Sequence, residues 1–403
     1  QHRQAYDAGV HHKFHDQAIA DLRAQGKPID ADSVENDEMH LALANVQPSV
    51  QSTLDEILEP LPKSSEVNWT PWFWLYGALA ALPFVLIFAT FKIYRRSHSY
   101  TGRELAAGLM FASPWIIGFI VFVGGPIFFS ILFAFTRYDV ISPAHWVGLD
   151  NFHRIGTDAL FSKSLGNTAF MIIRIPLTMV VSLLIAMLLN HALRGMGFYR
   201  TACYMPAIVP LIASSLLWMW IFNPSQGPLN QGISWILETR PIEWLQNVTH
   251  HHISPPLWLQ DENWSKPSLI LMNIWGAGAG IIIWLAGLQS VPTQLYEASA
   301  IDGAGPWRRF WNVTVPMLSP YILFNFIIGV IGTMQIFNEA FVMTQGGPAN
   351  STLFYAYHLF QQAFQYFRMG YASSLAWILF VIVLVLTMIQ LWLSKRWVHY
   401  ERT

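Results

Sequence analysis

The chain holds one cysteine in 403 residues, and only 12% of its residues are charged. A single thiol excludes an internal disulfide framework and gives no metal-ligand spacing. Cys203 sits in an apolar stretch and reads as a small packing residue. So little charge, set against 53% hydrophobic residues, argues against a soluble chain. The first 60 residues contain no apolar core of the kind a secretory signal needs. Nowhere is there a G-x-x-x-x-G-K-[ST] run, so the chain has no loop to cradle phosphates. The absence of H-E-x-x-H, of a nucleophile elbow and of paired carboxylates leaves a polytopic membrane enzyme without support.

What is abundant points to a bilayer. Eighteen Trp and 27 Phe suit aromatic belts at two membrane interfaces. Charge is distributed unevenly: residues 1–67 carry a net −7 and the remainder a net +6. The basic part is thus the apolar part, and no general nucleic-acid footprint exists. Crossing a ~30 Å hydrocarbon layer takes about 20 mostly apolar residues. Seven stretches qualify, at 72–91, 107–135, 167–189, 206–221, 269–288, 321–343 and 373–393. The expected fold is an all-α polytopic membrane protein, because lipid cannot satisfy open backbone groups. One set of connections holds 11 Lys and Arg and the opposite set 6 over longer loops. The positive-inside rule puts the first set, with the 297–320 loop and the C-terminus, in the cytoplasm. Residues 1–70 then fall outside, as a polar or partly disordered appendage.

The most informative segment is EASAIDGAGPWRRFWNVTVPMLSP at 297–320, a polar, glycine-bearing loop between two apolar runs. Pro292 is expected to open a helix over 293–304, with Gly303, Gly305 and Pro306 breaking it. A second short helix over 307–313 would end at Pro316. The pattern resembles the EAA loop of permease subunits of binding-protein-dependent ABC importers, with Ser299 where the third residue of E-A-A is usually Ala. The likeness covers about residues 107–398 and is nearest to the carbohydrate type, which includes the larger maltose permease subunit. WVGLDNF at 146–152, IFNP at 221–224 with Gly227 and Asn230, and TQGGP at 344–348 with Thr352 and Tyr355 resemble its outer-loop signatures, and RMGYA at 368–372 resembles the entry to its last span.

The resemblance implies a six-span permease core at 107–398, with an extra span and linker at 71–106 and a cytoplasmic tail at 399–403. It implies that the loop at 290–318 couples to an ATPase through Glu297, Ala298, Ser299, Asp302, Gly303, Ala304 and Pro316. It implies a bacterial inner-membrane assembly with a second permease subunit, two ATP-binding subunits that hold ATP and Mg, and an extracytoplasmic sugar-binding protein. No cofactor belongs to this chain on that reading.

Polar residues inside spans mark cavities or helix contacts. Gln335, Asn338 and Glu339, at i, i+3 and i+4, are expected on one helical face, and Asn273, Trp275 and Gly276 lie on the preceding span. The resemblance assigns sugar contacts to these two spans; interhelical hydrogen bonding is the alternative. Gly276-Ala-Gly-Ala-Gly280 is expected to allow close helix packing or sugar approach. Arg174 would pair with Glu339, meet an anionic group on the substrate, or snorkel to the outer interface. Trp235, Trp244, Trp258 and Trp264 on the long outer loop would dock a binding protein or form a Trp belt. The three histidines at 250–252 are too crowded to face one ion. A permease for a non-sugar solute, and an ion-coupled secondary transporter, are the alternatives. The latter would show inverted repeats and several intramembrane carboxylates, whereas one intramembrane Glu and no clear repeat are present.

Overall fold

A computed structural model describes residues 66–95, 100–191, 194–239 and 254–398. The polar segment through residue 65, Trp244, the histidines at 250–252 and the tail at 399–403 lie outside the described residues. From Val67 onward the described residues are mostly helical, with one antiparallel pair of two-residue strands among them, β1 (Thr136–Arg137) and β2 (His145–Trp146).

Helix α1 (Thr70–Arg95) is followed by α2 (Tyr100–Phe119) and α3 (Gly125–Ala134), joined by a π turn. Beyond β2 come α4 (Asp150–Thr157), α5 (Ala159–Phe170) and α6 (Arg174–Leu189). Next are α7 (Met196–Ile208), α8 (Leu211–Ile221), α9 (Pro228–Leu237), α10 (Glu262–Trp275) and α11 (Gly278–Ser290). The short helices α12 (Thr293–Ile301), α13 (Pro306–Arg309) and α14 (Val315–Met317) lead into α15 (Ser319–Met334), and α16 (Tyr355–Phe360) and α17 (Met369–Ser394) close the chain. Among the described residues, four segments are long and apolar enough to cross a membrane alone: Thr70–Ala89, Ala107–Ala134, Ala159–Leu189 and Met369–Ser394. Three bent pairs bring the number to seven if each crosses once.

Those bends depart from the straight spans expected. The stretch at 206–221 is not one helix: α7 and α8 meet at 93°. Val209 precedes Pro210 and takes an extended conformation, as steric clash with a following proline ring requires. The stretch at 269–288 bends by 49° between α10 and α11, at the glycine run. The same run packs closely, since a Cβ on Gly278 would stand 2.7 Å from the Cys203 carbonyl oxygen of α7. The stretch at 321–343 ends its helix at Met334, where the amides of Gln335 and Ile336 bond three residues back and tighten the last turn.

Hydroxyls within the apolar helices bond their own backbone. Ser113, Thr178, Ser182, Ser268 and Thr387 each donate to a carbonyl three or four residues earlier. Between helices, buried Trp284 of α11 donates its indole N–H to Ser182 Oγ of α6 at 2.8 Å.

The outer-loop signatures serve as clasps. Buried Asn151 donates its amide to the carbonyls of Ala134 and Thr136, both at 2.9 Å, and so caps α3. Asn230 donates to Pro224 O and Pro256 O and accepts the Trp258 indole N–H at 2.6 Å. Trp258 therefore belongs to the core with Trp218 and Phe222, rather than to a docking surface or interfacial belt, whereas Trp235 stays exposed. Thr344 and Thr352 join their hydroxyls at 2.6 Å across the TQGGP turn.

Candidate functional site

Arg174 opens α6 but is the midpoint of the 31-residue segment Ala159–Leu189. The side chain is only 14% exposed and turns toward neighbouring helices, which is not the geometry of snorkelling to the interface. A guanidinium inside an apolar span requires partners. Its Nε donates to Thr333 Oγ1 of α15 at 3.1 Å, and its Nη1 donates to Asn273 Oδ1 of α10 at 3.0 Å. The amide side of Asn273 donates to Leu269 O at 2.8 Å, which turns its oxygen toward Arg174. Glu339 Oε1 stands 3.7 Å from Nη1, and both side chains are largely buried.

Gln335, Asn338 and Glu339 do not share a helical face. The helix is interrupted at 335–337 and resumes only at Asn338. Tertiary pairing prevails over local propensity here: Thr333 before the break and Glu339 after it both reach the same guanidinium. Gln335 is exposed and Asn338 half-buried.

Beside Arg174 lies a cavity of about 280 Å³. Its wall takes Thr178 and Ser182 from α6 and Asn325, Gly329 and Gly332 from α15. The hinge between α10 and α11 supplies Asn273, Gly276 and Ala277. At roughly 30 Å³ per water the space is worth about nine waters, near the lower end of ligand-sized pockets. Arg174 is the one charged side chain among its lining residues. Trp275 is not among them; it packs edge-on against Trp218 at 6.0 Å.

The 297–320 loop folds into a helical hairpin. Helix α12 stops at Ile301, three residues sooner than expected, in a Schellman turn: Gly303 N–H bonds Ala300 O and Ala304 N–H bonds Ser299 O. Gly303 sits at φ +72°, where a side chain is strained. Arg309 Nε closes the turn on Ala304 O at 2.7 Å, and the Tyr296 and Thr314 hydroxyls tie the two arms at 3.0 Å. Pro316 does not end the second arm. A π turn over Phe310–Thr314 precedes it, so Pro316 falls in the first turn of α14, where its missing N–H is no loss, and the arm runs on to Met317 before bending by 65° into α15. Glu297, Ala298, Asp302 and Gly303 are exposed, Ser299, Ala304 and Pro316 half-buried. Ile301 is 87% and Trp307 74% exposed, so the hairpin presents apolar side chains that this chain does not cover.

A further cluster went unread in the sequence. Asp158 caps α5 by accepting from Leu160 N–H, accepts the Tyr371 hydroxyl at 2.6 Å, and lies 3.4 Å from Nε2 of buried His358. That last contact is an ion-pair approach rather than an aligned hydrogen bond. Burial alone would push the Asp158 carboxyl up; His358, Tyr371 and the Leu160 amide outweigh it and hold it at about 2. A carboxyl lowered from ~3.9 stabilises the fold fully above that value and loses the contribution as pH falls toward 2. Thermal midpoints of purified protein should therefore drop between pH 4 and pH 2, and Asp158→Asn should flatten that part of the curve. A wild-type slope in the variant would count against the cluster.

Comparison with known proteins identifies the architecture. Residues 178–399 match the family described as binding-protein-dependent transport system inner membrane component, and the chain belongs to that family. It is 38% identical to a probable ABC transporter permease protein, YesP, of Bacillus subtilis (strain 168), over 74% of this chain and 94% of that one. It is 31% identical to the lactose transport system permease protein LacF of Rhizobium radiobacter, over 72% and 94%. Its fold matches a chain in the crystal structure of a bacterial ABC transporter involved in import of the acidic polysaccharide alginate. That match has a TM-score of 0.61 and 22% identity, and covers 73% of this chain and 96% of that one. The protein is an integral, multi-pass permease subunit, and the secondary-transporter alternative is set aside.

The cavity brings together Arg174, Asn273 and Gly276 of the residues singled out in the sequence, with Glu339 just behind. Sequence reasoning missed Thr333, and missed the stripes 174/178/182 and 325/329/332, whose four- and three-residue steps put polar and small residues on one helix face each.

Proposed function

We propose that this chain forms the translocation path of an ATP-driven sugar importer and receives force through the α12–α14 hairpin. The observation that carries the coupling role is the exposed hairpin itself: a helix with small residues at 298–300, stopped by a Schellman turn, with Ile301 and Trp307 uncovered. Glu297, Ala298, Ser299, Asp302, Gly303, Ala304 and Pro316 form or brace that surface. Two ATP-binding subunits hold ATP and Mg, since the chain has no loop for phosphates. A second permease subunit completes the path, and an extracytoplasmic binding protein delivers the substrate. Lys and Arg in the connections put the hairpin and the C-terminus in the cytoplasm. Sugar as the substrate class is supported by relatives named for lactose, starch degradation products and arabinooligosaccharides. The cavity wall carries polar side chains that suit it: the hydroxyls of Thr178 and Ser182 and the amide of Asn325 donate to backbone carbonyls, which leaves their oxygens as acceptors for sugar hydroxyls.

The test is a pull-down of the tagged chain from its native membrane in mild detergent, with mass spectrometry, beside Gly303→Val. A β-branched residue at positive φ is strongly disfavoured. Wild type should bring down an ATPase, a second permease and a sugar-binding protein, and the variant should lose the ATPase. Recovery of no ATPase with wild type would overturn the reading.

A further inference from the structure

We propose that the cavity at the α10–α11 hinge receives the carboxylate of an acidic sugar on Arg174, which makes uronic-acid-bearing oligosaccharides the substrate class. The inference rests on the sugar-import reading above. A neutral sugar ring needs only the amides and hydroxyls already in the wall. Arg174 is an addition that a neutral ligand does not require, placed where an isolated charge is most costly. Its guanidinium has five N–H donors in a fixed fork. Two are hydrogen-bonded, to Thr333 and Asn273. Glu339 stands at 3.7 Å without an aligned hydrogen bond, and it does not line the cavity, whereas Arg174 does. Glu339 thus balances the charge and Thr333 and Asn273 fix the plane, while the remaining donors are left for a guest. With Nε on Thr333 and Nη1 on Asn273, Nη2 is the nitrogen left to take a carboxylate oxygen in a charge-assisted hydrogen bond.

Glu339 also answers the problem of release. A transport site must bind well enough to load and weakly enough to let go. A resident carboxylate competing for the same guanidinium lowers the guest's hold and restores the resident contact as the guest leaves.

The experiment uses the complete transporter, with its binding protein and ATPases, in proteoliposomes. The probes are a mixed pool of oligouronides and the same pool after chemical reduction of its carboxyls to neutral hexoses, which keeps linkage and size. Wild type should take up the acidic pool at least about tenfold faster than the reduced pool. Arg174→Gln should cut the acidic-to-reduced ratio at least about tenfold. Arg174→Lys, which keeps the charge but loses the fork, should cut it by a smaller factor, and Glu339→Gln should raise it. Each ratio is taken within one preparation, so a variant that folds in lower yield does not shift the readout. Equal or faster uptake of the reduced pool by wild type, or an unchanged ratio in both Arg174 variants, would overturn the proposal and leave sugar import standing. Uptake of neither pool nor of neutral oligosaccharides, with uptake of an amino acid or polyamine instead, would sink the sugar reading together with it.

Discussion

Valine in place of Gly370 should destabilise the folded protein by about 3 kcal/mol, at the upper end of overpacking effects. For a chain of 403 residues, at about 2.1 cal/mol/K of unfolding entropy per residue, that is a drop in thermal midpoint of ~3–4 °C. Gly370 is the second residue of α17 and is buried against β1. A Cβ there would stand 1.9 Å from Thr136 O and 3.2 Å from Phe133 O, both backbone atoms with no rotamer in which to escape. Thr136 O is also one of the two carbonyls held by the Asn151 amide, and Gly370 N–H donates to Tyr138 O at 3.2 Å. Pushing β1 away therefore breaks the cap on α3 as well as the contact itself. Asn151→Leu should reproduce part of the loss by removing the same clasp from the other side. The measurement is thermal unfolding of the detergent-purified chain by size-exclusion fluorescence, and a midpoint within ~1 °C of wild type for Gly370→Val would refute the packing argument.

The hairpin at 293–317 was legible because its signal is a backbone signal. Glycines at 303 and 305 and a proline at 306 state which dihedrals are allowed, and the Schellman turn follows almost residue for residue. Arg174 was legible because a charge inside an apolar run stands out, and Glu339 was the single acidic partner at comparable depth. Thr333 was not legible: serines and threonines in apolar helices usually bond their own backbone, as Thr178 and Ser182 do, and nothing local marks the exception. The break at 335–337 was hidden for a related reason. Gln335, Asn338 and Glu339 fit a helical repeat, and only contacts with α6 decide that the helix stops. At 276–280 the close-packing expectation is met, since Gly278 packs tightly on α7, while Gly276 lines the cavity. The outer-loop signatures were visible as motifs, but their work as clasps for helix ends depends on carbonyls distant in sequence.

On the coupling role proposed for the hairpin, arginine in place of Ala298 should reduce ATP-driven uptake about 100-fold, or ~2.7 kcal/mol of lost coupling. Ala298 is exposed, and Ile301 and Asp302 lie three and four residues on, so the three share one face of α12. The small side chains of Ala298 and Ala300 let another protein approach the helix backbone, and an arginine there fills that space and brings a charge into an apolar contact. The fold has little reason to object. Arginine is nearly as good a helix former as alanine, and position 298 is exposed to solvent in this chain. Its peptide groups are retained, including the carbonyl that accepts the Asp302 amide at the end of α12. Thermal midpoint should stay within ~1 °C, while substrate-stimulated ATPase of the reconstituted complex falls with uptake. Uptake at the wild-type level from Ala298→Arg would mean that no subunit closes on this face, and the coupling role of α12 would have to be given up; loss of uptake with basal ATPase retained would assign the defect to transmission of force across this one helix.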